Sequence, residues 1–202
     1  LDSWQYSAGK VEEHDMKELQ IITLEDVLAA KEQRAQLQAE LRDRHGATVV
    51  SVTINMPGAV KYSADTLNLL YYAVNELRQR IRDLRFPLCE ERILHLSTGP
   101  AALLAVAGDA AKIKEIGMAI EQTTKFGRLL DVDVFDSAGR QINRAGFGST
   151  ARPCFVCSGS AVECMRERRH DPVEIQAAVK NLLLEYQAAS TAACPQPGKQ
   201  IG

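Results

Sequence analysis

From Leu130 to Val134 apolar and acidic residues alternate without a break, Leu130-Asp131-Val132-Asp133-Val134. A period of two marks an extended strand, whose successive side chains leave opposite faces. The run therefore calls for a sheet in which Leu130, Val132 and Val134 are buried while Asp131 and Asp133 project together from the other side. Two carboxylates so close repel unless a cation lies between them, and Mg²⁺ bound to phosphate oxygens is the commonest cation held this way. Arg128, just upstream, offers a fork-shaped partner for phosphate. The same pattern also describes an edge strand with a hydrated acidic face.

The remaining segments supply the sheet's neighbours. Thr48 to Ile54 alternates, with Val50, Val52 and Ile54 on one face. Ile93 to Ser97 and Leu103 to Val106 read as a hairpin about a turn at Thr98-Gly99-Pro100. A helix capped by Ser63 carries Leu67, Leu70, Val74, Leu77, Ile81 and Leu84 at helical spacing, a core-packing stripe. Asp109 caps another, with Ile113, Ile116 and Ile120 inward, and Asp136-Ser137-Ala138-Gly139 turns the chain beyond the acidic strand toward a short partner strand at 140–142. Strand, helix, hairpin, helix, strand is the split βαβ of a ferredoxin-like sheet, so the predicted fold class is α+β with both helices on one face. Thr23 opens an extra N-terminal helix that Gly46 stops, and Asp171-Pro172-Val173-Glu174 opens a C-terminal one. On this layout Leu94, Leu96, Leu130 and Val132 face the helices. His95, Asp131 and Asp133 face the opposite way, onto a surface open or covered by the termini. A register slip of one residue would invert these assignments.

The predicted organisation is a flexible arm over residues 1–22, one domain over 23–187 with a Cys-rich loop at 152–170, and a disordered tail over 188–202. With 202 residues, 46% of them hydrophobic, the chain can bury one good core. A net charge of −2 with both signs interspersed is not the footprint of a nucleic-acid binder. No apolar stretch approaches a membrane span, and no basic segment leads into an apolar run near the start. The cysteines number five, an odd count, and three of them crowd between Cys154 and Cys164. That favours reduced thiols in a cytoplasm over a secreted disulfide framework.

Cys154, Cys157, Cys164 and His170 form C-x₂-C-x₆-C-x₅-H. The C-x₂-C knuckle puts two thiolates on one side of a tight loop, and the later Cys and His complete a tetrahedron suited to Zn²⁺. The alternative is a reduced loop without metal. Four protein ligands would leave no open position, making such a zinc structural.

No nucleophile elbow, Walker loop or dinucleotide fingerprint is present. Cys89 reads as a packed thiol. His95 is either a general base or a hydrogen-bonded structural residue. Lys31 and Arg34 share a helix face, either as a solvated stripe or as a phosphate clamp. Together with Lys61, Arg128 and Arg144, the acid pair suits a metal-assisted reaction at a polyphosphate, where positioning and charge neutralisation carry the catalysis. The residues alone lead as far as phosphoryl or nucleotidyl transfer.

Several ordered motifs resemble the holo-citrate lyase synthases, or apo-citrate lyase phosphoribosyl-dephospho-coenzyme A transferases, from about residue 23 to 187. The likeness rests on Arg34 in K-E-Q-R, P-G-A-V-K ending at Lys61, and S-T-G-P around Gly99. It continues through G-R-L-L-D-V-D-V, Arg144, and R-P-C-F-V-C followed by Cys164. One departure stands out: the family has His-Pro ahead of Leu-Gly-Arg, whereas this chain has Thr124-Lys125-Phe126-Gly127-Arg128.

The resemblance implies transfer of a phosphoribosyl-dephospho-coenzyme A group from 2′-(5-triphosphoribosyl)-3′-dephospho-coenzyme A to a serine of the citrate lyase acyl carrier protein, with release of pyrophosphate. For that reaction the expected roles are Mg²⁺ on Asp131 and Asp133, phosphate contacts from Arg34, Lys61, Gly99, Arg128 and Arg144, and one of the aspartates or His95 as proton acceptor. Two alternatives are the related transferase of malonate decarboxylase and a non-enzymatic zinc-knuckle interaction module.

Overall fold

The computed structural model describes residues 22–58, 60–148 and 152–193. It begins with α1 (Leu24–His45), held at its start by a reciprocal cap. Thr23 Oγ1 accepts from the Asp26 N–H at 3.1 Å, and the Asp26 carboxylate accepts from the Thr23 N–H at 2.8 Å. Gly46, at φ 58°, ends the helix in the left-handed conformation that a side chain would disfavour. There follow β1 (Thr48–Ile54), α2 (Ala64–Asp83), β2 (Leu88–Leu96), β3 (Gly99–Val106), α3 (Ala110–Thr123) and β4 (Leu130–Phe135). The last elements are α4 (Ala161–Arg166) and α5 (Pro172–Ala193). No helix among the described residues is long and apolar enough to cross a membrane.

The strands form one four-stranded antiparallel sheet in the order β2-β3-β1-β4. This is the ferredoxin-like order that the split βαβ arrangement calls for. One face packs against α2, α3 and α5. There Val50, Val52, Leu104, Val132 and Val134 meet Leu69, Leu77, Ile113, Ile120, Val179 and Leu182. Tyr72, Phe126 and Tyr186 close that core edge-on, with both Tyr72–Phe126 and Phe126–Tyr186 ring centroids 5.3 Å apart. The other face is covered by α1, which lays Leu41 and Leu37 over Val49, Leu103 and Ala105. Covered on both faces and paired on both edges, β3 is buried along its whole length.

Three boundaries differ from the sequence reading. Gly99 and Pro100, expected in the hairpin turn, already belong to β3, because Leu96 pairs with Gly99 across a tight turn at Ser97-Thr98. The expected partner strand at 140–142 is reduced to a bridge between Phe135 and Gln141. Helix α5 runs to Ala193, past the expected boundary at 187. The arm to residue 21 and the tail from 194 lie outside the described residues.

The face of His95 is corrected by its pairing. Ile93 opposes Ala102 and packs into the main core, so His95, opposite Pro100, shares that face. Leu94 instead opposes Ala101 and joins the cluster beneath α1. Asp131 sits across from Thr53, which opposes the same Ala101. His95 and the acid pair therefore leave opposite sides of the sheet. The sequence of β2 mixes charged and apolar residues without clean alternation, so its facing was set by β3 and by the register shift between Leu88 and Glu90.

Candidate active site

β4 lies at the sheet's edge, with Leu130, Val132 and Val134 buried and Asp131 and Asp133 partly open on the α1 side. An edge strand presents peptide groups with no strand to receive them, and here side chains take that place. Glu121 of α3 accepts from the Val132 N–H at 2.7 Å, and Lys114 of the same helix donates to the Val132 carbonyl at 2.7 Å. Between them sits Gly117, where an added Cβ would lie 2.7 Å from a Val132 methyl. Residues 114, 117 and 121 recur at helical spacing, so α3 grips this peptide from one stripe. The neighbouring Val134 carbonyl accepts from the Ile142 N–H at 2.8 Å.

Glu121 is buried, with 5% of its surface exposed, and gathers cations. Its Oε2 pairs with Arg144, and its Oε1 accepts from Arg152 at 2.7 Å. The same Arg152 Nη2 reaches Asp131 Oδ1 at 2.6 Å. Arg144 and Arg152, with Arg128, Lys125 and Asn55, line a cleft of ≈ 400 Å³. Arg128 donates to the Pro153 carbonyl at 2.8 Å, stacks over the Phe155 ring, and keeps its buried Nε unpartnered among the described residues. Gly127 lets this arginine-bearing turn approach α3: a Cβ there would sit 2.7 Å from the Glu121 carbonyl oxygen.

Electrostatics tie the acids to these cations. Burial pushes the Asp133 carboxyl above the ordinary carboxylate range, and the Asp131 charge adds to the rise; Lys114 and a 2.9 Å hydrogen bond from Gln141 oppose it. Burial depresses the Lys114 ammonium, while Asp133 works against that depression. Arg34, on α1, is lowered by burial and held up by the nearby Asp131 carboxylate. Arg34 thus lies within electrostatic reach of Asp131. Lys31 is exposed.

Lys61, Gly99 and His95 gather elsewhere, about the β1–α2 loop. Lys61 donates to the Met56 carbonyl at 2.7 Å, its own carbonyl lies 3.4 Å from a Cβ placed on Gly99, and Tyr62 meets His95 Nδ1 at 2.7 Å. None of the three lines the arginine cleft.

Cys154, Cys157, Cys164 and His170 bring one ligand atom each to within 4.8 Å of one another. His170 Nε2 lies 3.3 Å from Cys157 Sγ, and backbone N–H groups of Val156 and Gly159 point at the Cys154 and Cys157 sulfurs at 3.5 and 3.4 Å. A Cys₃His group of this kind can hold a metal ion. Its loop begins at Arg152 and carries the Arg128 contact at Pro153, so the cluster borders the cleft.

Sequence reasoning missed Lys114, Glu121, Arg152 and Gln141. The signal available was two opposite charges at core-facing positions of an apolar helix, next to Ile113 and Ile120. Arg152 stood in the R-P-C motif without a role.

Comparison with known proteins adds family evidence. A family model described as apo-citrate lyase phosphoribosyl-dephospho-CoA transferase matches residues 22–186. The chain is 32% identical over 170 residues to a probable apo-citrate lyase phosphoribosyl-dephospho-CoA transferase of Vibrio cholerae, covering 84% of this chain and 96% of that protein. It is 26% identical over 169 residues to the apo-citrate lyase phosphoribosyl-dephospho-CoA transferase of Escherichia coli, covering 84% and 92% respectively.

Proposed function

The chain belongs to the apo-citrate lyase phosphoribosyl-dephospho-CoA transferase family, and on that premise we propose that it loads the citrate lyase acyl carrier protein with its prosthetic group. The donor is 2′-(5-triphosphoribosyl)-3′-dephospho-coenzyme A. A carrier serine oxygen attacks the phosphorus nearest the ribose, a P–O bond forms, and the bond to the outer two phosphates breaks. Its electron pair leaves with pyrophosphate, and the serine proton passes to a carboxylate. The observation that carries this reading is the convergence of Arg128, Arg144 and Arg152 on one cleft beside the same-face pair Asp131 and Asp133.

The arginines serve the phosphate chain, which gains charge on its leaving end as the bond breaks. Arg34, on α1, adds a further positive charge near Asp131. One of the two aspartates would accept the serine proton. The acids share one face, and the Asp131 charge raises the cost of ionising Asp133, a donor set that fits a hard divalent cation. Mg²⁺ held by Asp131 and Asp133 would supply charge neutralisation on the phosphates.

The Cys₃His cluster fits a structural zinc: thiolates and imidazole supply four soft-to-borderline donors, and N–H groups already face the sulfurs. Zinc there would hold the loop that carries Arg152 and Pro153. We place the reaction in the cytoplasm, where such thiols stay reduced.

The test is the mass of the carrier protein after incubation with this chain, the donor and Mg²⁺. A gain equal to the phosphoribosyl-dephospho-coenzyme A group, with release of pyrophosphate, is the expected result. An unchanged carrier overturns the assignment.

A further inference from the structure

Arg152 has two claims on it. Its Nη2 is engaged by Glu121 at 2.7 Å and by Asp131 at 2.6 Å, yet the residue also lines the cleft. Among the described residues, the other guanidinium nitrogens of Arg152 have no hydrogen-bond partner in the protein, although a guanidinium offers five donors. Arg144 stands beside it on the same Glu121 carboxylate, and the two cations repel: the neighbouring Arg152 charge helps depress the Arg144 guanidinium, after burial. An anion in the cleft relieves that crowding and meets the buried, unpartnered Nε of Arg128 as well.

We propose that Arg152 is an exchange residue: it neutralises Asp131 in the free enzyme and moves to the phosphate chain when a polyphosphate enters the cleft, releasing the Asp131 carboxylate. This rests on the phosphate-transfer reading and adds an order of events to it. Asp131 is blocked until the donor is in place, and the entering anion is what unblocks it. Asp131 and the anion thus compete for one guanidinium. Glu121, which touches the same nitrogen from within the protein, anchors the side chain through the exchange.

Competition gives a signed test. Inorganic pyrophosphate is titrated calorimetrically into the full chain and its variants, with chelator present to remove divalent ions. Asp131→Asn should bind pyrophosphate about tenfold more tightly than the unaltered chain, because the competing carboxylate is gone. Arg152→Ala should bind it about tenfold more weakly. In the Arg152→Ala background, adding Asp131→Asn should give no comparable gain. Asp133→Asn is the control for simple charge removal, since it deletes an equal charge two residues away without touching Arg152; it should tighten binding far less than Asp131→Asn.

Tightening by Asp131→Asn that persists without Arg152, or is matched by Asp133→Asn, overturns the exchange and leaves the transferase reading intact. No pyrophosphate binding by the unaltered chain overturns both the exchange and the phosphate cleft. Should Arg152→Ala fail to fold, Arg152→Gln replaces it in every arm, keeping bulk without charge.

Discussion

Lys114 and Glu121 hold the two hydrogen-bonding atoms of a single residue: Lys114 donates to the Val132 carbonyl and Glu121 accepts from the Val132 N–H, each at 2.7 Å. Val132 is the residue between Asp131 and Asp133. The grip that seals the sheet's edge therefore also fixes the spacing and facing of the acids. Because Glu121 pairs in addition with Arg144 and Arg152, one buried carboxylate links strand position to the cationic cleft.

Removing that carboxylate strands two guanidiniums and a peptide N–H in a buried setting. Glu121→Ala should cost about 3–5 kcal/mol of stability, the usual result of taking one partner from a buried ion pair. Urea unfolding checks it. Glu121→Gln keeps an acceptor for the Val132 N–H and should lose less.

Gly117→Ala sets two effects against each other. In a helix interior the change should gain roughly 1 kcal/mol from propensity. The added methyl would sit 2.7 Å from a Val132 side-chain carbon, and overpacking of this sort costs about 1–3 kcal/mol. The clash should win, lowering the melting temperature and pushing β4 away from α3. Carrier modification should fall with it.

Asp131→Asn should reduce carrier modification by about 100-fold or more while the circular dichroism spectrum stays unchanged. The readout is the rate of mass gain by the carrier. Near-normal modification by this variant would remove Asp131 from the chemistry.

The raised Asp133 carboxyl makes a stability prediction of definite sign. Its pKa is higher folded than unfolded, so the folded state binds the proton more tightly. Its contribution to stability is therefore lost as pH rises from the unfolded value of 3.8 through the higher folded one. At neutral pH Asp133→Asn should melt higher than the unaltered protein while losing activity. Melting curves of the metal-free protein across pH 4–8, on the order of the window where such groups titrate, check the sign.

Metal analysis of the purified chain should find about one zinc per molecule, the stoichiometry of a closed four-ligand site. Cys157→Ser should lower that content and increase proteolytic cutting between residues 152 and 170. Equal zinc content in both proteins would count against the Cys₃His assignment.

Periodicity along the chain carried the fold a long way. Unbroken alternation at Leu130–Val134 and helical spacing in Leu70, Val74, Leu77 and Ile81 are local signals, because strand and helix geometry act over a few residues. The caps at Thr23, Ser63 and Asp109 were legible for the same reason. Cys154, Cys157, Cys164 and His170 were grouped by spacing across a short loop, and the fold does bring them together.

The facing of β2 was not local. Its residues alternate poorly, so pairing with β3 decided that Leu94 turns toward α1 and His95 away from the acids. The partners of Asp131 and Asp133 were equally hidden: Arg152 arrives from a loop 21 residues downstream of Asp131, and Lys114 from the helix before it. The amino-acid order by itself determined which segments are strands and helices and that two carboxylates share a face, since backbone geometry enforces both. Which charges meet those carboxylates was decided by tertiary packing, because Coulomb partners are chosen by distance in space, and α3 alone brings Glu121 and Lys114 to the edge where β4 has no strand beside it.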